Sequence, residues 1–462
     1  GLCAKKQEKK HPVPHMIQRN GGIWMEKVFG NYVCGVLLPV LLLASGLFYL
    51  CRMRWFYLIH PVRTMKRMLG GERRSGISPF RATTLALAGT LGVGNIVGVA
   101  SAIVMGGTGA VFWMVAGAIC AAVLKYAEIV LAVRHRRTGR DGQHYGGAMY
   151  YIFDIVSGRG FRRCAVWLSV LFTLFCLLNS FTMGCIIQVN AISHALEGVW
   201  GVPLAVTGGI LVLFCLFAVS RGVRAVSALT EKTVPAMTLI FFLLSLVVIF
   251  RRADVMGQVI ASVFRSAFSS ASGVPFFLSG AVRYGMMRGL LSNEAGCGTA
   301  PIAHAAADTE SAARQGTWGI FEVLVDTVLL CTVTALVILS DPTAITAYAD
   351  NPMMLTIHAY ASVLGNFAGW FLCIAVVLFG ASTLVCWGHY GIQCLRPIAG
   401  GKRGKVRIAI YVVLYSVCAW IGSVSTPDAI WFLADLALAG MTCINLPILL
   451  LSVREVTREN PV

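Results

Sequence analysis

Residues 86–100 read Ala86-Leu87-Ala88-Gly89-Thr90-Leu91-Gly92-Val93-Gly94-Asn95-Ile96-Val97-Gly98-Val99-Ala100, and this stretch decides the fold. It joins membrane-grade hydrophobicity to glycines that each cost about 1 kcal/mol relative to alanine inside a helix. Backbone freed at bilayer depth is tolerated only where it is buried in protein or lines a polar cavity. The segment therefore predicts a transmembrane helix broken near its middle, with a substrate or an ion as the partner of the freed groups.

The rest of the chain fits that setting. Mean hydropathy is +0.76, with 57% hydrophobic and 13% charged residues, against about 25% charged in soluble domains. A polytopic all-α membrane protein follows, in contact with the lipid bilayer. The net charge of +18 does not point to nucleic acid, because the basic residues gather in short loops between apolar runs, where they set topology. The 15 cysteines are scattered without a CxxC pair, many inside apolar runs such as Phe175-Cys176-Leu177, and read as buried thiols.

Windows of about 20 apolar residues predict eleven spans, at 30–51, 82–104, 109–133, 165–194, 203–220, 233–250, 258–306, 316–340, 365–392, 408–423 and 429–451. The arginine-rich loops 52–81 and 134–163 are expected in the cytoplasm. Alternation from there puts the N-terminus outside and the C-terminal tail, 452–462, inside, in the inner (plasma) membrane. Residues 1–29 read as a tail. The chain does not begin with methionine and Met25 sits just before the first span, so residues 1–24 are expected to lie outside the working fold.

A second interruption, Ser292-Asn293-Glu294-Ala295-Gly296-Cys297-Gly298-Thr299-Ala300-Pro301, lies in the seventh span. Two broken helices five spans apart predict an internal repeat. An odd number of spans per repeat inverts the halves, which is the pattern of secondary transporters with a midplane site. The core repeats are placed at about 82–250 and 258–451.

At this point an ordered set of motifs resembles a known family, the alanine or glycine:cation symporters. The set comprises Ser78-Pro79-Phe80, the Gly92 to Ala100 segment, Gly106-Gly107-Thr108-Gly109, Lys125-Tyr126-Ala127-Glu128, Gly146-Gly147-Ala148-Met149-Tyr150-Tyr151, Ser292 to His304 and Gln315-Gly316-Thr317-Trp318-Gly319. The resemblance covers nearly the whole chain after residue 30. It implies a leucine-transporter-type fold of inverted five-helix repeats with one additional N-terminal transmembrane helix, within the amino acid, polyamine and organocation superfamily. It also implies sodium-coupled symport of a small neutral amino acid, alanine or glycine, with sodium as the coupling ion. Serine or glutamine as substrate, or proton coupling, is the alternative.

A zwitterionic substrate needs donors for its carboxylate and acceptors for its ammonium. Half-helix N-termini supply N–H groups and partial positive charge, so Gly94 and Asn95 are assigned to the carboxylate and the stretch from Asn293 to Gly296 faces the substrate from the other break. Close helix packing is the competing reading of Gly94 and Gly98, four residues apart. By resemblance Gln188 is a substrate contact, where an interhelical hydrogen bond is the alternative; Cys185 stands where the family tends to have asparagine. Carbonyls near Ala88 and Leu91 with the hydroxyls of Ser382 and Thr383 make an oxygen-rich sodium site, against simple back-bonding of those hydroxyls to their own helix. Trp387, four residues after Thr383 and on the same helical face, is expected to limit substrate size.

Lys125 and Glu128, three apart, read as an ion pair; Glu322 and Asp326 are left with Arg283 or Arg288 as partners, and His304 and His389 read as polar packing. An intramembrane enzyme is the reading of a different class, and no HExxH, GxSxG or paired-aspartate pattern supports it. A channel lacks a repeated filter loop. Nothing in the sequence speaks to oligomeric state.

Overall fold

The computed structural model describes residues 29–70, 76–139, 142–220, 222–269, 279–398, 401–425 and 428–459. The expectation for residues 1–24 lies outside these. Among the described residues the structure is helical apart from one two-residue hairpin pairing, Arg137–Thr138 with His144–Tyr145. Helix α1 (Leu38–Arg52) is entered through a π-helical turn. Then come α2 (Pro79–Thr90), α3 (Val97–Gly106), α4 (Ala110–Arg134), α5 (Ala148–Ser157), α6 (Arg162–Trp200), α7 (Leu204–Val219) and α8 (Val223–Arg251). The second half holds α9 (Ala253–Ala267), α10 (Gly280–Asn293), α11 (Ala300–His304), α12 (Ala312–Leu339), α13 (Pro352–Leu364), α14 (Phe367–Leu395), α15 (Gly401–Val424), α16 (Asp428–Leu451) and α17 (Val453–Arg458).

Eight of these helices are long and apolar enough to cross a membrane. α7 and the two interrupted pairs, α2/α3 and α10/α11, fall in the remaining predicted windows, and two further apolar helices, α5 and α13, lie outside every window. One boundary is corrected. The seventh window, 258–306, is not one element: α9 is a separate amphipathic helix that buries Val259, Val263 and Ala267 at four-residue spacing, and the broken helix starts only at Gly280.

Local chemistry explains where the broken helices begin and end. Ser78 caps α2, its hydroxyl accepting from the Arg81 amide at 3.1 Å, and Pro79 follows where a missing N–H costs nothing. Ser279 caps α10 in the same way. That helix stops because Glu294 turns left-handed, at φ 52°, and Gly296 and Gly298 follow at positive φ. A left-handed glutamate costs about 1–2 kcal/mol, offset here by a 2.6 Å bond from the Thr299 hydroxyl to Glu294 Oε2. Gly298 is obligatory twice over, since a methyl there would also stand 2.8 Å from Ala148 Cβ.

At one face of the protein the chain is clamped shut. Gly76 donates to Asp308 Oδ2 at 3.1 Å and the Asp308 amide donates to the Ile77 carbonyl at 2.7 Å. Arg136 donates to the carbonyls of Ala307 and Thr309, and Arg81 pairs with Glu231 at 2.6 Å. The opposite face opens into a vestibule of about 690 Å³ whose walls include Gly94, Gly98, Asn190, Arg288, Met354 and Trp431.

On the clamped side α17 docks through a charged cluster. His135 lies 3.1 Å from Asp154 and 3.2 Å from Glu455, and Arg134 pairs with Glu455 and Glu459. Burial works against the charged imidazole, but Glu455 and Asp154 outweigh it and raise its pKa above 6.5; the bond from His135 lowers the pKa of Glu455 below 4.5. The imidazole's contribution is thus complete below 6.5 and lost as pH rises through its folded value. That of Glu455 is present above 4.5 and lost as pH falls through its own. Protection of the Val456 amide, corrected for intrinsic exchange, is expected to fall as pH rises above 6.5 and through the raised pKa of His135, and His135→Gln should flatten that dependence. An equally steep fall in the variant would dismiss His135 as the cause.

Candidate functional site

The first break is made by backbone that leaves the helix at Leu91 and re-enters it at Val97. Between them Gly92 is extended and Val93–Asn95 form a single 3-10 turn. Three elements close on it. From α6, Gln188 Oε1 accepts from the Val93 amide at 3.2 Å while its Nε2 donates to the Met183 carbonyl at 3.1 Å. From α14, Thr383 Oγ1 lies 3.5 Å from the Leu91 carbonyl and 2.9 Å from that of Phe379, and the Trp387 indole donates to Gly89 at 3.3 Å. Gly92 lets these side chains come close: a methyl there would stand 2.9 Å from Gln188 Oε1 and 3.0 Å from Thr383 Oγ1 and would push both aside.

Gly94 and Gly98 behave differently. A methyl on either would meet nothing within 4 Å, and both line the vestibule. The helix-packing reading of this pair is therefore corrected: they are open wall, not a contact.

The other assigned residues divide. Leu91 and Thr383 come together, as the sodium reading requires, while the Ser382 hydroxyl donates to its own helix at Phe379, 2.8 Å away. Ala88 is fully buried in the last turn of α2. Asn95 turns its amide away from the vestibule wall onto α12. Asn293 and Gly296 do not present free backbone to a substrate: the Asn293 carbonyl accepts from Lys125 Nζ at 2.6 Å and that of Gly296 from Asn445 Nδ2 at 3.0 Å. The Asn293 amide is spent on Thr327 and on the Ala295 N–H. Trp387 is fully buried beside the break.

The charged residues pair otherwise than their spacing suggests. Lys125 bonds Glu322 at 2.6 Å, not Glu128, with both side chains fully buried. Glu322 is held from its other oxygen by His304 at 3.1 Å, and His304 in turn meets Gln315 at 2.7 Å. Glu128 instead accepts from the Gly298 amide at 2.8 Å and from Asn445 at 2.5 Å, fastening the second break to α4 and α16. Arg283 and Arg288 are not the contact partners of Glu322 or Asp326. Arg288 lies over the Trp431 ring, 4.9 Å from its centroid, in the vestibule wall. Asp326 sits in a π-helical turn of α12, Leu324–Cys331, and accepts from Asn95, Ser292 and Thr327 at 2.7–2.8 Å. Thr327 and Asn445 escape a reading by motif; the signal for them is their polarity inside apolar spans.

Interrupted apolar helices in a bundle with eight helices long enough to cross a membrane, and a vestibule that reaches one of the breaks, are the build of a multi-pass membrane transporter. The chain belongs to the sodium:alanine symporter family, which it matches over residues 23–460. It is 32% identical over 427 residues to the sodium/alanine symporter AgcS of Methanococcus maripaludis, covering 91% of this chain and 92% of that protein. It is also 32% identical to a Bacillus subtilis protein named as the probable sodium/glutamine symporter GlnT, covering 89% and 84%. A crystal structure of the Eremococcus coleocola manganese transporter aligns with 82% of this chain and 78% of its own, at a TM-score of 0.51 and 15% identity, a likeness of fold alone.

Proposed function

We propose that the protein is a sodium-coupled symporter of a small neutral amino acid, alanine or glycine. It works by alternating access of two inverted five-helix repeats, with the additional helix α1 ahead of them. The observation that carries this reading is the unwound turn Leu91–Asn95 at the foot of the vestibule. There Val93 and Gly94 line the vestibule just ahead of α3, with open space beside Gly94, and the start of a helix is where a carboxylate is favoured. Gly94 and Asn95 set the carboxylate end of the site, Gln188 braces the turn through Val93, and Trp387 backs it. Sodium is taken by the carbonyls of Ala88 and Leu91 with the hydroxyls of Ser382 and Thr383, Ser382 by rotating off the Phe379 carbonyl. Asn293 and Gly296 act on the substrate indirectly, by fixing the second break.

The vestibule faces the outside of the plasma membrane and the clamp around Asp308 faces the cytoplasm, in line with the arginine-rich loops. Each sodium ion moving inward releases about 2.3 kcal/mol per 100 mV, worth more than tenfold in substrate concentration.

Uptake by proteoliposomes tests the reading, with and without a sodium gradient, against a panel of alanine, glycine, serine and glutamine. The last is included because the relative named for glutamine is as similar as the one named for alanine. Alanine or glycine uptake that needs sodium is the expected result, and equal uptake in sodium-free buffer would sink the coupling.

Gly94 provides a sharper test. Its φ is not positive and its Cβ direction is empty, so Gly94→Ala should stabilise the fold by about 0.4–1 kcal/mol. Gly94→Leu, which fills the vestibule floor, should melt like the parent protein yet cut uptake at least about tenfold, as expected for a side chain occupying the substrate's place. Normal uptake by Gly94→Leu would remove Gly94 from the site.

A further inference from the structure

A groove on the clamped side of the protein lies apart from the candidate site. The end of α7 and the start of α8 form one wall, and the end of α14 and the start of α15 form the other. Its volume is about 430 Å³, within the range of small-molecule sites. Val223 lines both this groove and the small cavity beside Asp308, so the groove adjoins the clamp.

The lining is graded along the helices. His389 and Gln393, four apart, share a face of α14, and Arg396 follows just past its end; on α15 Lys405 comes first and Val412 and Val413 two turns later. Because α14 ends and α15 begins on one side of the bundle, both basic residues stand at the same end of the groove. Arg396 lies over the Tyr145 ring, 3.8 Å from its centroid, and its Nε is buried with no hydrogen-bond partner. Lys405 is exposed. Among the described residues no acid lines the groove, and the chain has none from 198 to 230 or from 351 to 427, the stretches that build it. The first turn of α8, which has no capping side chain, adds partial positive charge at that end.

A positive end, a polar middle and an apolar remainder, in that order, match a lipid's phosphate, esters and acyl chains. Gln393 falls about 5 Å below Arg396, where esters follow a phosphate. Its Nε2 lies 3.1 Å from His389 Nε2, which leaves a second N–H for an ester oxygen. Leu213 and Phe217 on α7 and Val406 and Ile410 on α15 are each more than half exposed, so the surroundings of the groove are apolar surface suited to a bilayer.

We propose that this groove binds an anionic glycerophospholipid, its phosphate between Arg396 and Lys405 and an acyl chain along Val412 and Val413. Basic pockets between transmembrane helices recognise such head groups. The site is independent of the substrate and the ion assigned above.

Native mass spectrometry of the detergent-solubilised protein with equimolar phosphatidylglycerol and phosphatidylcholine tests this. The parent protein is expected to prefer phosphatidylglycerol by roughly fivefold for each basic side chain, about twentyfold or more in all, and the bound lipid should raise its melting temperature. Arg396→Gln/Lys405→Gln should hold the two lipids equally. Ala409→Trp keeps both charges and fills the groove from an exposed position. It should lose the phosphatidylglycerol too, so a hairpin loosened at Tyr145 in the first variant does not end the test. Equal retention of the two lipids by the parent protein, or an undiminished preference in either variant, overturns the site. A melting temperature raised as much by glycerol 3-phosphate as by phosphatidylglycerol would make the groove a site for a soluble anion and overturn the lipid.

Discussion

Lys125→Met is expected to be the most damaging single exchange in this protein, abolishing uptake and lowering the melting temperature of the detergent-solubilised chain steeply. The ammonium bonds Glu322 and the Asn293 carbonyl, each at 2.6 Å, in a fully buried position. Removing one partner of a buried pair leaves the other charge uncompensated, at a cost of about 3–5 kcal/mol. Lys125→Met/Glu322→Gln removes both charges and should recover much of the melting temperature, because the damage lies in the orphaned carboxylate. Melting of Lys125→Met indistinguishable from the parent protein would show that the pair is not holding α4 to α12.

Trp387→Ala should be nearly as costly to the fold, at about 3–5 kcal/mol for a buried tryptophan truncated to alanine. The indole is fully buried, donates to Gly89 just ahead of the break and packs its ring against Tyr390. A cavity there lies behind the unwound turn, so transport by protein that still reaches the membrane should shift from alanine toward larger neutral side chains. Each methylene newly buried is worth about 0.8 kcal/mol. The readout is the ratio of leucine to alanine competition, which a simple loss of folded protein does not move. An unchanged ratio with alanine transport intact would reduce Trp387 to core packing.

The two breaks were legible in the sequence because each contradicts its surroundings: glycines in an apolar run at Gly92–Gly98, and polar, acidic residues where α10 would otherwise continue. The partners of the buried charges were not. Lys125 and Glu128 share a helix and a sequence neighbourhood, whereas Lys125 and Glu322 meet from positions 197 residues apart. Spacing along one helix reports which side chains are close on it and nothing of what packs opposite. The π-helical turns add to this. Those at Thr182–Ile186 and Leu324–Cys331 shift the faces of α6 and α12 that carry Gln188 and Asp326, and a count at 3.6 residues per turn cannot register that. In α9 a signal was present and outvoted: Val259, Val263 and Ala267 form one stripe beside Gln258 and Arg265, the mark of an amphipathic helix that hydropathy windows average away.

Gly94 and Gly98 set a floor to evolution as well as to the vestibule. Glycine is the smallest residue, so no substitution at either position can give a substrate more room, and every substitution takes some away. Extra volume has to come from other lining residues, such as Val97, Met354, Ile357 or Trp431. At the two glycines the wall can drift only toward exclusion, while the rest of the lining can drift either way.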